Sequence, residues 1–289
     1  MNDSKLSKLA SPHGEWVKDE ASGVHVYHVS NQHVLVQASG YLKYVLGHET
    51  PCGVYFRGQS KLYPTLVPSL YRGASSAKQK AVRDQALSDY LAEANGKILK
   101  TVAEYAREPL LQHYGIRTRW LDLVDNIWVA LWFACHRAHA TGPFEEYLHF
   151  ERRRPRQGAS QSEFAYVLMV RTEMSSADPA APGLFRSKNT DLIDLRIATP
   201  SMFLRPHSQH GLLFRRARFN DHKHMDNGEF VVGVLRVTLQ DALEWLGQGS
   251  LGSIHALFPP ATYDFGYRDL LGAAPKGNSV IASINVIGA

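Results

Sequence analysis

The stretch from Ile127 to Cys135 places the strongest constraint on the fold, because no charged residue interrupts it. In a helix, one side of this stretch carries Ile127, Ala130, Leu131 and Ala134, and a second side carries Trp128, Trp132 and Cys135. A helix that is apolar all round must be buried on nearly every side. We therefore predict a central helix here, with Asp125 as its N-terminal cap.

Helical patterns dominate the rest of the first half. We expect a strand or hairpin over residues 23–37, a short helix over 41–47 and a short strand that ends at Gly58. Apolar residues recur at helical spacing from Ala77 to Arg107, with a break near Gly96. Pro109 should begin another short helix, which Gly115 ends.

The second half is predicted to consist mainly of strands. Residues 164–172 and 229–238 are apolar on both faces, which is typical of interior strands. Residues 191–199 should form a strand with one solvent-facing side, and residues 211–219 another strand. These patterns predict an α+β fold, with a helical N-terminal half packed on a mixed or antiparallel sheet. We expect one domain over residues 23–289 and a flexible arm over residues 1–22.

Composition narrows the class of protein. The chain has 289 residues, 44% of them hydrophobic, which suffices for a large core. It lacks the run of about 18 uncharged apolar residues that a membrane-spanning helix needs, and its N-terminus has no secretory pattern. Cys52 and Cys135 are the only cysteines, as expected in a reducing compartment. We expect a cytoplasmic protein without a membrane partner.

The chain is basic, with a net charge of +5 and an isoelectric point near 9.1. This charge favours anionic partners such as nucleotides or nucleic acid. The densest basic cluster lies in a predicted exposed insertion at about 141–163. It is either a solvated loop or a surface that contacts RNA or DNA.

Three polar segments beside apolar elements are candidates for a site. Arg57 and Gly58 at a strand end can present a guanidinium to a phosphate or carboxylate, or Arg57 can pair with an internal carboxylate. The segment from His113 to Asp122 also contains Thr118 and Arg119, and Asp122 is a natural partner for Arg57 or Arg119. Residues 205–211 form either a ligand contact or a polar turn.

A fourth polar segment, residues 221–228, has side chains that could bind a metal. Its Asn-Gly pair instead favours a hairpin loop between the strands at 211–219 and 229–238. The usual motifs of P-loop nucleotide hydrolases, Rossmann enzymes and α/β-hydrolases do not occur.

Together these segments resemble the FRG domain, a family of bacteria and phages named for a Phe-Arg-Gly signature. The resemblance rests on residues 56–59, 63–64, 68–72, 112–115, 118–122, 130–134 and 209–212, in family order. Leu123 and Val124 depart from the Trp-Thr that the family often has there.

The layout is also similar to that of ADP-ribosyltransferases, which implies NAD as a substrate. The resemblance assigns catalytic roles to Arg57, Asp122 and Gln209, and NAD binding to Arg57, Gly58, Gln59, His113, Tyr114, Thr118, Arg119 and His210. Arg57 would contact the diphosphate and Gln209 a ribose hydroxyl. Gly211 stands where those enzymes carry a carboxylate, so Asp122 would have to supply the negative charge. No metal is implied.

The resemblance leads to an expected function as an NAD-dependent ADP-ribosyltransferase-like effector. Such a toxin or phage-defence protein would modify RNA, DNA or a protein, with an antitoxin protein as a further partner. Two alternatives remain open at this point. One is a non-catalytic module that binds a nucleotide or nucleic acid, and the other is a nuclease that uses Asp122 and the histidines.

Overall fold

The computed structural model describes residues 5–155, 163–173, 178–217, 225–249 and 252–288. The strands are β1 (Gly14–Lys18), β2 (His25–Val29), β3 (Cys52–Gln59), β4 (Leu121–Val124), β5 (His136–Thr141), β6 (Tyr147–Arg152), β7 (Phe164–Glu173), β8 (Leu184–Arg186), β9 (Thr190–Asp194), β10 (Gly211–Arg216), β11 (Val231–Thr238) and β12 (Val286–Ile287). The α-helices are α1 (Gln32–Glu49), α2 (Ala77–Lys97), α3 (Glu104–His113), α4 (Ile127–Cys135), α5 (Leu195–Ala198), α6 (Leu204–Ser208), α7 (Leu239–Leu246), α8 (Ile254–Leu257) and α9 (Phe265–Ala273). The fold is α+β, as predicted.

A large mixed sheet organises the molecule. Its strand order is β1-β2-β11-β7-β3-β4-β10-β9-β8, and a smaller sheet has the order β12-β6-β5. In the large sheet β2 and β11 run parallel, and the other neighbouring strands run antiparallel. The predicted interior strands are confirmed, because β7 and β11 each have neighbours on both sides.

The sheet separates the apolar core into layers. One cluster joins α1, α4 and α7 to β3, β7 and β11, and a second joins α2, α3 and α9 to β9 and β10. A third cluster takes the alternate residues of β4, β7 and β10. Successive strand residues point to opposite faces, so the first two helical clusters lie on one face of the sheet, with the third on the other.

The central helix is confirmed as α4, which is buried along most of its length. Its cap differs from the prediction: the Asn126 side chain accepts hydrogen bonds from the main-chain N–H groups of Trp128 and Val129. Asp125 instead forms ion pairs with other side chains. Asn and Asp cap helices about equally well, so the sequence alone could not choose between these neighbours.

The N-terminal half contributes more sheet than predicted. The prediction of a flexible arm is wrong for residues 5–22, because Leu6 is fully buried and β1 pairs with β2. The possible hairpin over 23–37 is a strand followed by a helix, and Asn31 caps α1. The predicted short helix over 41–47 is the C-terminal part of α1.

The helical region after Ala77 has the expected break, between α2 and α3. Pro109 lies inside α3 rather than at its start, since the helix already begins at Glu104. Gly115 follows the end of α3 with φ +118, a backbone angle that favours glycine. The helix end is therefore confirmed, and only its start was misplaced.

Several predictions for the second half need correction. Residues 191–199 do not form one strand with a solvent-facing side, because β9 is buried throughout and α5 follows it. Residues 204–208 form α6 rather than a turn alone. The prediction of a hairpin between β10 and β11 is wrong. Strand β10 pairs with β4 and β9, whereas β11 pairs with β2 and β7. Residues 221–224 of that segment lie outside the described residues.

The predicted basic insertion is partly ordered sheet. Residues 147–152 form β6, and Arg153 is buried, with Nη1 donating to the carbonyl oxygens of Ala134 and Phe164. Residues 156–162 lie outside the described residues. Among the described helices, none has both the length and the apolar character needed to cross a membrane.

Gly58 is required by the packing of β3 on α4. A Cβ atom built on Gly58 would lie 1.8 Å from the carbonyl oxygen of Ala130. Overpacking of this kind costs about 1–3 kcal/mol, so Gly58→Ala should lower the free energy of unfolding by that amount. The control is Gly40→Ala in α1, where a Cβ atom meets nothing within 4 Å. Gly40→Ala should raise the free energy of unfolding by about 0.5–1 kcal/mol. Equal effects of both substitutions in urea unfolding would contradict this packing argument.

Candidate functional site

The candidate site begins where β3 and β4 separate. Among the described residues these strands share a single pair, Phe56 with Val124. Beyond this pair, Arg57 takes the place of a regular strand contact, because its Nη1 atom donates to the main-chain oxygen of Asp122 at 2.7 Å. The Arg57 side chain is only 16% exposed. Its Nε atom is buried without a hydrogen-bond partner among the described residues.

Asp122 stands between Arg57 and His113. Its Oδ2 atom lies 3.9 Å from Arg57 Nη1, and its Oδ1 atom lies 4.0 Å from His113 Nε2. The carboxylate is 49% exposed, so it stays accessible to a ligand. Burial lowers the pKa of the Arg57 guanidinium, the Asp122 carboxylate opposes this shift, and the nearby charge of Arg72 adds to it.

His113 is the last residue of α3, and its ring is almost fully buried. Neither ring nitrogen has a hydrogen-bond partner among the described residues. Burial lowers the pKa of His113 from 6.5 to about 4, because the charged imidazolium loses its hydration, while Asp122 partly opposes the shift. His113 is therefore neutral at pH 7.

Gln209 brings the third predicted segment to the same place. It follows α6 and is buried, and its Nε2 atom donates to the carbonyl oxygen of Leu257 at 2.9 Å. Arg57, His113, Asp122 and Gln209 all line one cavity of about 290 Å³. The structure thus brings together the three predicted catalytic residues and His113.

The same cavity has walls that the sequence analysis missed. Its further lining includes Gln112, Phe133, His136, Phe150, Phe258 and Asn285. The Phe150 and Phe258 rings lie 4.4 Å apart, and His136 stacks on Trp132 at 3.8 Å. Phe150, Phe258 and Asn285 carry no local sequence signal, because they come from β6 and from loops of the C-terminal region.

A larger cavity of about 760 Å³ adjoins the first, and Arg57, Gly58 and Phe133 line both. Its charged lining residues are Arg57, Arg72 and Lys80, with no acidic side chain among the described residues that line it. Gln59 also lines it, and the Oε1 atom of Gln59 is buried without a hydrogen-bond partner in the described structure. A cavity with only cationic charges favours an anionic ligand.

Four predicted NAD-binding residues do not line either cavity. Tyr114 is fully buried and donates to Asp264 at 2.8 Å, and Thr118 is fully buried beside Gln112. Arg119 pairs with Glu108 at 3.0 Å rather than with Asp122. His210 pairs with Asp125 at 3.1 Å. These contacts give the four side chains structural partners instead of a place in the cavity wall.

Gly211 leaves no space for a larger side chain at its position. A Cβ atom on Gly211 would lie 2.2 Å from Cε1 of His113. The glycine is thus needed for the close contact between β10 and the His113 ring. Among the described residues, no three His, Cys, Asp or Glu side chains are grouped closely enough to hold a metal ion.

Comparison with known proteins supports the FRG family. The model of the FRG domain matches residues 53–142, which include Arg57, His113 and Asp122. No curated protein and no solved structure matches the chain. Gln209, Phe258 and Asn285 lie outside the matched segment, so the cavity is completed by residues that the family model does not cover.

The buried, neutral state of His113 predicts a pH dependence of stability. The unfolded chain binds a proton at His113 below pH 6.5, whereas the folded chain binds it only near pH 4. The free energy of unfolding should therefore fall by about 3 kcal/mol as the pH decreases through this interval.

Urea unfolding of the parent protein and of His113→Asn between pH 4 and 7.5 measures this contribution. His113→Asn should not show this fall in the free energy of unfolding. His33→Gln, which changes an exposed histidine of α1, should show the same fall as the parent protein. An NMR titration that gives His113 a pKa near 6.5 would refute the prediction.

Proposed function

We propose that the chain binds NAD as a substrate and cleaves its nicotinamide–ribose bond, as an ADP-ribosyltransferase-like effector. The observation that carries the proposal is the position of Arg57, in the wall common to a cationic cavity and a smaller cavity that contains Asp122. NAD has a diphosphate at its centre, so an arginine at the junction of two cavities suits it.

The lining residues fit the parts of NAD. Arg57 and Arg72 offer guanidinium groups to the diphosphate, and planar guanidinium groups bind phosphate oxygens well. The smaller cavity has an aromatic wall for the nicotinamide ring and Asp122 for the ribose. Cavities of about 300–1,000 Å³ are typical of small-molecule sites, and the two volumes, about 290 and 760 Å³, lie at or within these limits.

The proposed chemistry needs a negative charge beside the ribose. When the glycosidic bond breaks, its electron pair leaves with neutral nicotinamide, and the ribose becomes an oxocarbenium-like cation. The Asp122 carboxylate would stabilise this cation electrostatically. A nucleophilic O–H or N–H group of the acceptor then bonds to the ribose carbon and loses its proton. This proton is released to water.

The acceptor is proposed to be nucleic acid or protein, and the biological role that of a toxin or phage-defence effector held in check by an antitoxin. The net charge of +5 favours a nucleic acid acceptor. A second candidate function is NAD or nucleotide binding without cleavage. The contact between Gly211 and His113 favours it, because a carboxylate cannot be placed there.

Arg57→Ala should reduce kcat/KM for nicotinamide release about 10- to 100-fold, because charge-assisted hydrogen bonds contribute about 1.5–3 kcal/mol. The assay is nicotinamide release from NAD by the full chain, with and without cell extract as a source of acceptor. Arg57→Lys should recover only part of the activity, since lysine lacks the planar fork. Arg268→Ala, an exposed arginine of α9, is the matched control. Calorimetric binding of NAD without any release would support the non-catalytic function, and absence of both would exclude the proposal.

Asp122→Asn should lower kcat about 100-fold or more while leaving KM nearly unchanged, because its charge acts mainly on the transition state. Asparagine keeps the size of the side chain and the main-chain oxygen that Arg57 binds. Asp269→Asn, an exposed residue of α9, is the control. Unchanged kcat in Asp122→Asn would remove Asp122 from the mechanism.

A further inference from the structure

The amide side chains of the smaller cavity have fixed orientations. Gln209 Nε2 donates to the carbonyl oxygen of Leu257 at 2.9 Å. A carbonyl oxygen only accepts, so the nitrogen of Gln209 must face it. The other end, Oε1, has no hydrogen-bond partner among the described residues and is left as an acceptor for a ligand.

The Gln112 amide is oriented the other way, with its oxygen bonded and its nitrogen free. Thr118 Oγ1 accepts from the main-chain N–H of Trp120 at 3.2 Å, and because Thr118 is fully buried its hydroxyl proton needs a protein acceptor, which is Gln112 Oε1. The oxygen of Gln112 therefore faces Thr118, and its Nε2 atom is the free end. No described residue accepts from this nitrogen, so Gln112 offers a donor to the cavity that both glutamines line.

The aromatic wall of the cavity is formed by phenylalanines. Phe150 and Phe258 pack 4.4 Å apart, and Phe133 lies 6.2 Å from Phe258. This wall favours a flat ring, while the glutamines offer one donor and one acceptor. An aromatic ring that carries a carboxamide matches both features. The ring packs on the aromatic wall, while the carboxamide carbonyl accepts from Gln112 and its NH₂ group donates to Gln209.

We infer that Gln112 and Gln209 are specificity-determining residues that select a carboxamide-bearing aromatic ring over the corresponding carboxylic acid. A carboxylate could accept from Gln112, but it would face the Gln209 oxygen without a proton to share. Arg57 lines the same cavity, but the Asp122 carboxylate, 3.9 Å from its Nη1 atom, already opposes its charge, and a carboxylate ligand would lose hydration beside the aromatic wall. The identification of that ring as the nicotinamide of NAD rests on the proposed function, whereas the preference for an amide rests on the cavity alone.

The test compares matched pairs of small molecules on the full chain. Ligand-observed NMR titrations give dissociation constants for nicotinamide and nicotinic acid, and for benzamide and benzoate. Each amide should bind at least about tenfold more tightly than its acid, a ratio that corresponds to 1.4 kcal/mol. Equal binding of amide and acid, tighter binding of the acids, or no binding of any of the four would overturn the inference.

Gln112→Glu provides the matched variant, because a glutamate still accepts from Thr118 but replaces the free donor by an acceptor. It should abolish the preference for amides, whereas Gln240→Glu, at an exposed position of α7, should keep it. Thermal unfolding of both variants shows whether each is folded. An unchanged amide preference in folded Gln112→Glu would exclude the role of Gln112.

Cleavage assays separate this inference from the proposed function. If NAD is cleaved, kcat/KM for NAD should be at least about tenfold higher than kcat/KM for nicotinic acid adenine dinucleotide. Gln112→Glu should remove this difference between the two substrates. Cleavage of both dinucleotides at equal rates would overturn the inference and leave the proposed function intact. Amide-selective binding without cleavage would support the inference and contradict the proposed reaction.

Discussion

The separation of β3 from β4 is the structural constraint on which the site depends. Two antiparallel neighbours normally continue their ladder, yet these strands share only the pair Phe56 and Val124 among the described residues. Arg57 satisfies the main-chain oxygen of Asp122 across the gap. An arginine can bridge this distance and still present its remaining N–H groups to a ligand. The gap between β3 and β4 thus forms the opening of the site, and Arg57 places a positive charge beside it.

Each residue of the Phe-Arg-Gly signature has a distinct physical role around this gap. Phe56 is buried in the core that α4 shares with β3. Arg57 lies in the wall of both cavities. Gly58 allows α4 to approach β3, and it also lines both cavities. The signature therefore combines an arginine in the cavity wall with two packing requirements that hold it in place.

Local sequence patterns predicted the elements better than their arrangement. The apolar character of α4, β7 and β11 identified buried elements correctly, because burial on all sides leaves few positions for charge. The strand order could not be read in the same way, since β11 enters between β2 and β7 through contacts distant in sequence. Arg57, His113, Asp122 and Gln209, which the sequence singles out as polar residues beside apolar elements, line one cavity in the structure, and their roles there stay predictions. His210 lines neither cavity, and its pairing with Asp125, 85 residues earlier in the chain, could not be read from the sequence.

The residues behind the cavity explain why its shape depends on segments outside the family match. Arg205 is fully buried between the rings of Tyr114 and Tyr267, at 4.4 and 4.6 Å, and donates to the main-chain oxygen of His113 at 2.7 Å. Burial lowers the pKa of Arg205, which reflects the cost of keeping its charge away from water. That cost is offset by aromatic faces and by hydrogen bonds, so this arginine fixes the end of α3. The matched segment carries Arg57 and Asp122, whereas Arg205 holds His113 in place and Gln209, Phe258 and Asn285 complete the lining.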